Sequence, residues 1–506
     1  MIGADRTVER RVTLVLSSML LAVAPAAAWA QGVAPTRAPS SWQVSCPFDS
    51  SKALLPVTCG RLKVPENPEN PGGRVVEMAF MVVKAPRSID QHGPMVYLNG
   101  GPGQNSLYWA EQLVTHPHLR DVVVDRDWIF LDQRGTGRSS PSLYCADASD
   151  WLTQVRNCRD RLVAQGIDLS QYNSARIVGD MEALRVALGV RQWNLWGLSY
   201  GARVAVIAAR SYPASVHSII LDAGGIPEGQ ELVEDARGTE VALTRIFSKC
   251  ATDSACSRAY PQLRSRFIAA LPRLRQQPLQ AGDRRYDDGT LLRFIRGWLY
   301  PRGYSTFEAR IQSLLVVMDA AARGDGALLA ATRQRMRVEE GLDTRRDPPL
   351  PDHGRYSTGQ NLSVYCHESE PFRSAEEYQR AAARSEILRA LVPGFGTDEA
   401  CALWRAGRAD TTVRTRVYDG PQLVFTGELD ASSSGIKGYQ IAMFNANAQQ
   451  VVFRNGMHGQ LPASLPTAED TPYRMCALRL ARAFVANPQG RLDTSCADTR
   501  QLRLVR

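Results

Sequence analysis

The segment Gly197-Leu198-Ser199-Tyr200-Gly201 is the first place in this chain where residue types and spacing suggest chemistry. A serine hydroxyl is a poor nucleophile at neutral pH unless a base takes its proton and an acid orients that base. Flanking glycines leave room for a tight turn between a strand and a helix, which exposes the hydroxyl. The pentapeptide arises by chance in roughly one chain in five of this length, so context must discriminate. Here it occurs once, after the strand-like Trp193 to Trp196 and before the helical Ala202 to Arg210. Where a serine sits on such a turn, the acid and then the histidine follow it in chain order. Of seven histidines, only His458, in Gly456-Met457-His458-Gly459, lies beyond the last candidate strand, Val451 to Phe453. His92, His116, His118, His217, His353 and His367 all precede the expected acid. That acid belongs in the loop after Leu423 to Phe425, where Asp430 is the choice and Glu428 and Asp419 are the nearby alternatives. The serines at 432 to 434 read as a solvated turn or a helix cap.

A tetrahedral intermediate at Ser199 needs donors aimed at its oxyanion. One is the backbone N–H of the residue after the nucleophile, Tyr200, and the other comes from a loop after an early strand. Gly100-Gly101-Pro102-Gly103 is that loop, since a backbone without Cβ can approach a substrate closely.

These residues need a scaffold. Arg74 to Val83, Met95 to Leu98, Trp128 to Leu131, Trp193 to Trp196 and His217 to Leu221 read as strands, and several end in glycine-rich turns. Ala175 to Leu188 carries apolar residues at helical spacing between two of them. Strands alternating with helices imply an α/β fold with a mostly parallel sheet. From 224 to 419 the pattern changes to helical spacing, as in Leu263, Phe267, Leu271 and Leu274, or Phe307, Ile311, Leu314 and Met318. Capping boxes at Ser305 with Glu308 and at Ser374 with Glu377 mark helix starts there, and Asp343 to Gly359 reads as a charged, proline-rich connector. The α/β pattern resumes with Leu423 to Phe425, Ile436 to Asn447, Val451 to Phe453 and Pro472 to Val485. The expected organisation is a first core part over 31–223, a large helical cap inserted over 224–419 before the last strands, and a second core part over 420–506.

Asn-Gly-Gly-Pro-Gly at 99 to 103, Asp-Gln-Arg-Gly-Thr-Gly-Arg-Ser at 132 to 139, Gly-Leu-Ser-Tyr-Gly at 197 to 201, Gly-Glu-Leu-Asp at 427 to 430 and Met-His-Gly at 457 to 459 occur in this order. Together they resemble the prolyl-aminopeptidase and tripeptidyl-aminopeptidase family of α/β-hydrolases, over most of the chain. The resemblance implies an α/β-hydrolase fold and a serine exopeptidase. Its triad would be Ser199, Asp430 and His458, with the amides of Gly101 and Tyr200 as oxyanion hole. Asn99 stands where prolyl aminopeptidases commonly have His, which, with the long insertion and the leader described below, points to the exported tripeptidyl-aminopeptidase-like branch. Exopeptidases of this family hold the substrate's α-amine with acidic cap residues, and Glu368 and then Glu370 are the candidates for that role. Asp132 and Arg134 read as loop-ordering residues.

Residues 1–30 read as a secretory signal peptide: Arg6, Arg10 and Arg11, an apolar stretch from Val12 to Ala24, and Ala28-Trp29-Ala30 as a cleavage site before Gln31. Cleavage lowers the formal charge from +9 to +8 and places the protein in the periplasm or outside the cell. No stable membrane anchor is expected, because the apolar stretch is shorter than the roughly 20 residues that span a bilayer. Ten cysteines in an exported chain favour disulfides. About 945 pairings are open, and neighbours along the chain are taken as partners. Zinc-type Cys and His spacings are absent, so no metal and no cofactor is expected. The basic residues form no run interleaved with aromatics, which excludes nucleic acid as a partner and leaves short peptides or small amide and ester substrates. An esterase or amidase on a non-peptide ester and a catalytically silent binding protein are the competing functions.

Overall fold

The computed structural model describes residues 42–505 except 88–91, 118, 147, 230, 301–306, 340–353, 393–396, 412–413, 415–417, 434 and 462–470. The leader at 1–30, the cap residue Ser305 and most of the 343–359 connector lie outside the described residues.

Short, largely apolar runs become the middle strands of one sheet. Its strands are β1 (Gln43–Val44), β2 (Val57–Pro65), β3 (Val75–Val83), β4 (Met95–Leu98), β5 (Trp128–Leu131), β6 (Trp193–Leu198) and β7 (Val216–Asp222). A short hairpin, β8 (Leu279–Ala281) with β9 (Arg284–Tyr286), stands apart, and β10 (Gln422–Gly427) and β11 (Ala448–Phe453) complete the main sheet. Among the described residues that sheet has nine strands in the order β1-β2-β3-β5-β4-β6-β7-β10-β11. The first three pairings of this order, up to β3 with β5, are antiparallel, and those from β5 through β11 are parallel. Every residue of β4, β5, β6 and β10 is buried, as befits strands covered on both faces. The helix Tyr200–Ser211 packs against this sheet through Ala202, Val204, Ala205, Ile207 and Ala209, small and branched side chains that let it lie close.

The chain leaves the sheet after β7 and returns at β10, yet the two strands pair in parallel register, Gln422 with Ile219 and Phe425 with Asp222. Between them run helices that include Glu231–Thr252, Leu263–Gln276, Asp288–Trp298, Phe307–Arg323 and Thr358–Glu368. Their buried positions are the ones the helical spacing predicts: Phe267, Leu271, Leu274, Ile311, Leu314 and Met318 share one core. That core extends to Leu429, Ala431 and Met457, beside the expected acid and base. The later helices behave differently, because Leu362, Val364, Cys366, Ala400 and Trp404 pack into the core beneath the sheet. The Ser374 cap is formed, its Oγ accepting from the Glu377 N–H at 3.2 Å.

All ten cysteines pair with their neighbours along the chain: Cys46–Cys59, Cys145–Cys158, Cys250–Cys256, Cys366–Cys401 and Cys476–Cys496. The strand β2 and the β8–β9 hairpin lie where sequence periodicity signals neither. The hairpin is turned by Gly282, at φ +62°, and Asp283, within a stretch otherwise helical. No helix among the described residues is long and apolar enough to cross a membrane.

Candidate active site

Ser199 stands between β6 and the helix Tyr200–Ser211 with φ +56°, a conformation that costs a non-glycine residue on the order of 1–3 kcal/mol. The helix therefore begins at Tyr200, two residues earlier than its apolar pattern indicates. Three glycines make the turn possible. A Cβ on Gly201 would lie 2.0 Å from the Leu98 carbonyl oxygen, one on Gly197 2.3 Å from the Gly201 oxygen, and one on Gly100 2.8 Å from Ser199 Cβ. The end of β4 thus runs directly against the nucleophile turn.

His458 follows β11 and is 8% exposed; its Nδ1 faces both oxygens of Asp430, at 3.0 and 3.1 Å. Asp430 is fully buried beyond β10, and its Oδ1 also accepts from the N–H groups of Ser432 (2.8 Å) and Ser433 (2.9 Å). Burial opposes ionisation of this carboxyl, but the attraction of His458 and these hydrogen bonds outweigh it and hold its pKa below the usual carboxylate value. Of the alternatives, Glu428 is held by Lys249 (3.1 Å) and the Asn455 N–H (2.8 Å), away from His458. A carboxylate that takes Nδ1–H leaves Nε2 as the basic nitrogen. No hydrogen bond joins Ser199 Oγ to His458, a contact that in such sites commonly tightens only around substrate.

Ser199, His458, Gly101 and the start of the helix at Tyr200 line one cavity of about 620 Å³. The Tyr200 amide opens the helix and has no intrahelical acceptor. Gly101, at φ +110°, lies in the loop after β4, and its own amide has no acceptor among the described residues. The loop is held from two sides. Asn99 Nδ2 donates to the Asn105 carbonyl (2.6 Å), and Asn361 Nδ2, from the helix Thr358–Glu368, donates to the Pro102 carbonyl (3.3 Å). Asp132 and Arg134 order the neighbouring loop. Asp132 accepts from Ser106, Leu107 and Arg138 N–H groups, and Arg134 forms a two-pronged pair with Asp180 at 2.7 Å.

The structure places Glu368 and Glu370 off the cavity wall. Glu368 is buried against the start of the helix Ser174–Ala187, accepting from Ser174 N–H (2.5 Å) and Oγ (2.7 Å), and Arg203 lies 3.2 Å from it. Glu370 pairs with Arg373 at 3.2 Å. Both carboxylates are occupied within the protein, because the end of the helix Thr358–Glu368 brings Glu368 to the start of the helix Ser174–Ala187 and Glu370 beside Arg373.

The carboxylates that line the cavity are Glu231, Glu234 and Asp235, on the helix that follows β7. Asp235 is saturated by Lys437 Nζ (2.9 Å), Ser432 Oγ (3.0 Å) and Arg296. Burial disfavours its charge, but Lys437 and Arg296 outweigh that and lower its pKa. Glu231 and Glu234 are each the more distant partner of a shared cation: Arg203 is 3.5 Å from Glu231, and Lys437 is 4.0 Å from Glu234. Burial dominates at Glu234 and raises its pKa. Tyr300, whose ring lies 4.7 Å from that of His458, and Tyr356 form aromatic walls. Sequence reading passes over these residues because their role depends on the face each helix turns to the cavity.

The mostly parallel sheet, with a serine on a strand–turn–helix junction and an Asp–His pair after the last strands, has the arrangement of the α/β-hydrolase fold, and the family model for the alpha/beta hydrolase fold matches residues 93–259. The chain has the α/β-hydrolase fold and is similar to peptidases that share it. It is 25% identical over 245 residues to the serine protease Hip1 of Mycobacterium tuberculosis, covering 43% of this chain and 46% of that protein. It is 25% identical over 326 residues to a proline iminopeptidase of Xylella fastidiosa, covering 60% of this chain and 83% of that protein. Over 192 residues it is 22% identical to a tripeptidyl aminopeptidase of Streptomyces coelicolor, covering 33% of this chain and 35% of that protein. The chain thus spans less than half the length of the first of these relatives.

Proposed function

We propose that this protein is an exported serine hydrolase that releases N-terminal residues or short peptides through an acyl-enzyme. The observation that carries the reading is that His458, paired with the buried Asp430, lines the same cavity as Ser199 and two residues, Gly101 and Tyr200, whose amides have no acceptor among the described residues. Ser199 Oγ attacks the scissile carbonyl while His458 Nε2 takes its proton. The Gly101 and Tyr200 N–H groups receive the oxyanion. As the intermediate collapses, the C–N bond breaks and His458 returns the proton to the leaving amine. His458 then takes a proton from water, the hydroxide attacks the Ser199 ester, and the acid product leaves with Ser199 reprotonated.

Glu231 and Glu234 hold the substrate's α-ammonium in this reading, in place of Glu368 and Glu370. Each is incompletely neutralised by its shared cation, so an incoming ammonium completes its pairing. The paired cysteines support folding in an oxidising compartment, as the export signal read at 1–30 requires.

The test uses purified protein and Ser199→Ala on aminoacyl, prolyl and tripeptidyl chromogenic amides, with free and blocked N-termini, beside short-chain esters. Free-amine amides are expected to be cleaved and the Ser199→Ala variant to be inactive. Glu234→Gln is expected to raise KM about tenfold for free-amine substrates while leaving ester hydrolysis unchanged, the effect of removing one charge-assisted contact. Hydrolysis of esters alone would establish the esterase reading instead, and no turnover with no labelling of Ser199 by a serine-directed phosphonate would establish a binding protein.

A further inference from the structure

Another fully buried carboxylate, Asp222, lies at the end of β7, outside the proposed triad. Its backbone and side chain face different parts of the site. The Asp222 carbonyl accepts the Ser199 N–H at 2.8 Å, tying the nucleophile turn to the neighbouring strand. Its carboxylate accepts from the Gln460 N–H (2.7 and 2.9 Å to the two oxygens), the Leu461 N–H (2.8 Å) and Trp196 Nε1 (3.3 Å). Gln460 and Leu461 directly follow the His458-Gly459 turn, which Gln460 Nε2 closes by donating to the Met457 carbonyl at 2.8 Å. Gly459, at φ +82°, brings that turn against Leu198, the residue before the nucleophile.

We propose that Asp222 is a positioning residue of the hydrolase, joining the Ser199 turn and the His458 loop so that nucleophile and base stay in register. This rests on the serine-hydrolase reading above. The two catalytic side chains belong to segments about 260 residues apart in sequence, and Asp222 is bonded to both. A neutral acceptor would satisfy two amides as well, and a carboxylate buried without a cation is costly. Among the described residues no Lys or Arg pairs with Asp222; the titratable groups acting on it are His458 and the phenol of Tyr97. Burial pushes its carboxyl up to about 6, while the amides and His458 favour its anion. The anion therefore also favours the imidazolium that His458 becomes during attack, in addition to Asp430. That electrostatic role accounts for a carboxylate at a position where an amide would fit.

The experiment compares wild type, Asp222→Asn and Asp430→Asn for kcat and KM on the best substrate, the pH profile of kcat/KM, the rate of Ser199 labelling by a phosphonate, and the thermal midpoint. Asp222→Asn is expected to lower kcat and the labelling rate roughly 10- to 100-fold, the range set by sub-ångström misplacement of reacting groups, with KM within about threefold. The acidic limb of its pH profile is expected to change, because a carboxyl that titrates at about 6 beside the proposed base is lost. A lower thermal midpoint with unchanged kcat, labelling rate and acidic limb would reduce Asp222 to a structural role and overturn the proposal. If Asp222→Asn does not fold, Trp196→Phe removes one donor and leaves the carboxylate in place. It should slow labelling at a temperature well below its thermal midpoint, which the lost burial of Trp196 lowers, and a wild-type labelling rate there would overturn the proposal. Failure of wild type itself to label at Ser199 would instead remove the hydrolase reading.

Discussion

Asp430→Asn replaces one oxygen by an NH2 group at nearly constant shape, and the surroundings decide which way the amide points. Oδ1 accepts from two backbone N–H groups, Ser432 at 2.8 Å and Ser433 at 2.9 Å. Placing NH2 there would leave two buried donors unpaired, at about 1–3 kcal/mol each, so the amide oxygen stays at that position. The NH2 then occupies the Oδ2 position, 3.1 Å from His458 Nδ1. Nδ1–H then loses this acceptor and keeps only the oxygen at the Oδ1 position, 3.0 Å away and already shared with two backbone N–H groups, which shifts the imidazole toward the tautomer with its proton on Nε2, where the nitrogen facing Ser199 can no longer accept. Loss of the correct tautomer in such a triad costs about 10⁴ in kcat, equivalent to about 5.4 kcal/mol. Stability changes much less, by about 1–2 kcal/mol, because volume and two of the hydrogen bonds are retained. The assay is kcat on the best amide substrate together with phosphonate labelling and a thermal melt. A kcat within tenfold of wild type, with an unchanged melt, would refute the tautomer reasoning.

Two stability measurements test the scaffold. Burial pushes Asp132 up to about 6 despite its three backbone donors, whereas an unfolded aspartate titrates near 3.9. Between about pH 4 and 6 the native state therefore binds more protons than the unfolded state. The contribution of this group rises as pH falls through that window and is lost above about 6. Denaturation midpoints for Asp132→Asn are expected to depend less on pH from 4.5 to 7 than those of wild type, and equal slopes would contradict the burial argument. Cys366–Cys401 spans 35 residues and Cys250–Cys256 spans 6, so chain entropy predicts losses of about 4 and about 2 kcal/mol when each pair is replaced by serine. Urea titration of the two double variants checks that ranking, and a reversal would count against the entropic account.

The parts of the site that were legible in the sequence are those set by local rules. Ser199 is marked by glycines that the backbone needs, since a Cβ at Gly201 would strike the Leu98 carbonyl. His458 and Asp430 follow from chain order after short apolar strands, and their separation in the sequence does not obscure them because each lies just past a strand end. The expectation that Glu368 and Glu370 would face the substrate differs from the structure, in which neither lines the cavity beside Ser199. The helix Thr358–Glu368 buries Leu362, Val364 and Cys366 in the core under the sheet, which carries Glu368 to the Ser174 helix start.

By itself the sequence determines the alternation of strands and helices, the turn that carries Ser199 and the chain order of the candidate serine, acid and base, because each is encoded within a few residues or by order along the chain, whereas the pairing of the ten cysteines, open in the sequence, is decided by the structure. Tertiary structure alone decides which carboxylates face the cavity and which are consumed by partners. Glu231 meets Ser369 Oγ from 138 residues away, Asp235 meets Lys437 from 202 residues away, and Asp222 meets Gln460 from 238 residues away. An ionised side chain takes its meaning from the charges and dipoles within a few ångströms. Those neighbours are chosen by how the long excursion between β7 and β10 packs back onto the sheet, a property that no local pattern of residues records.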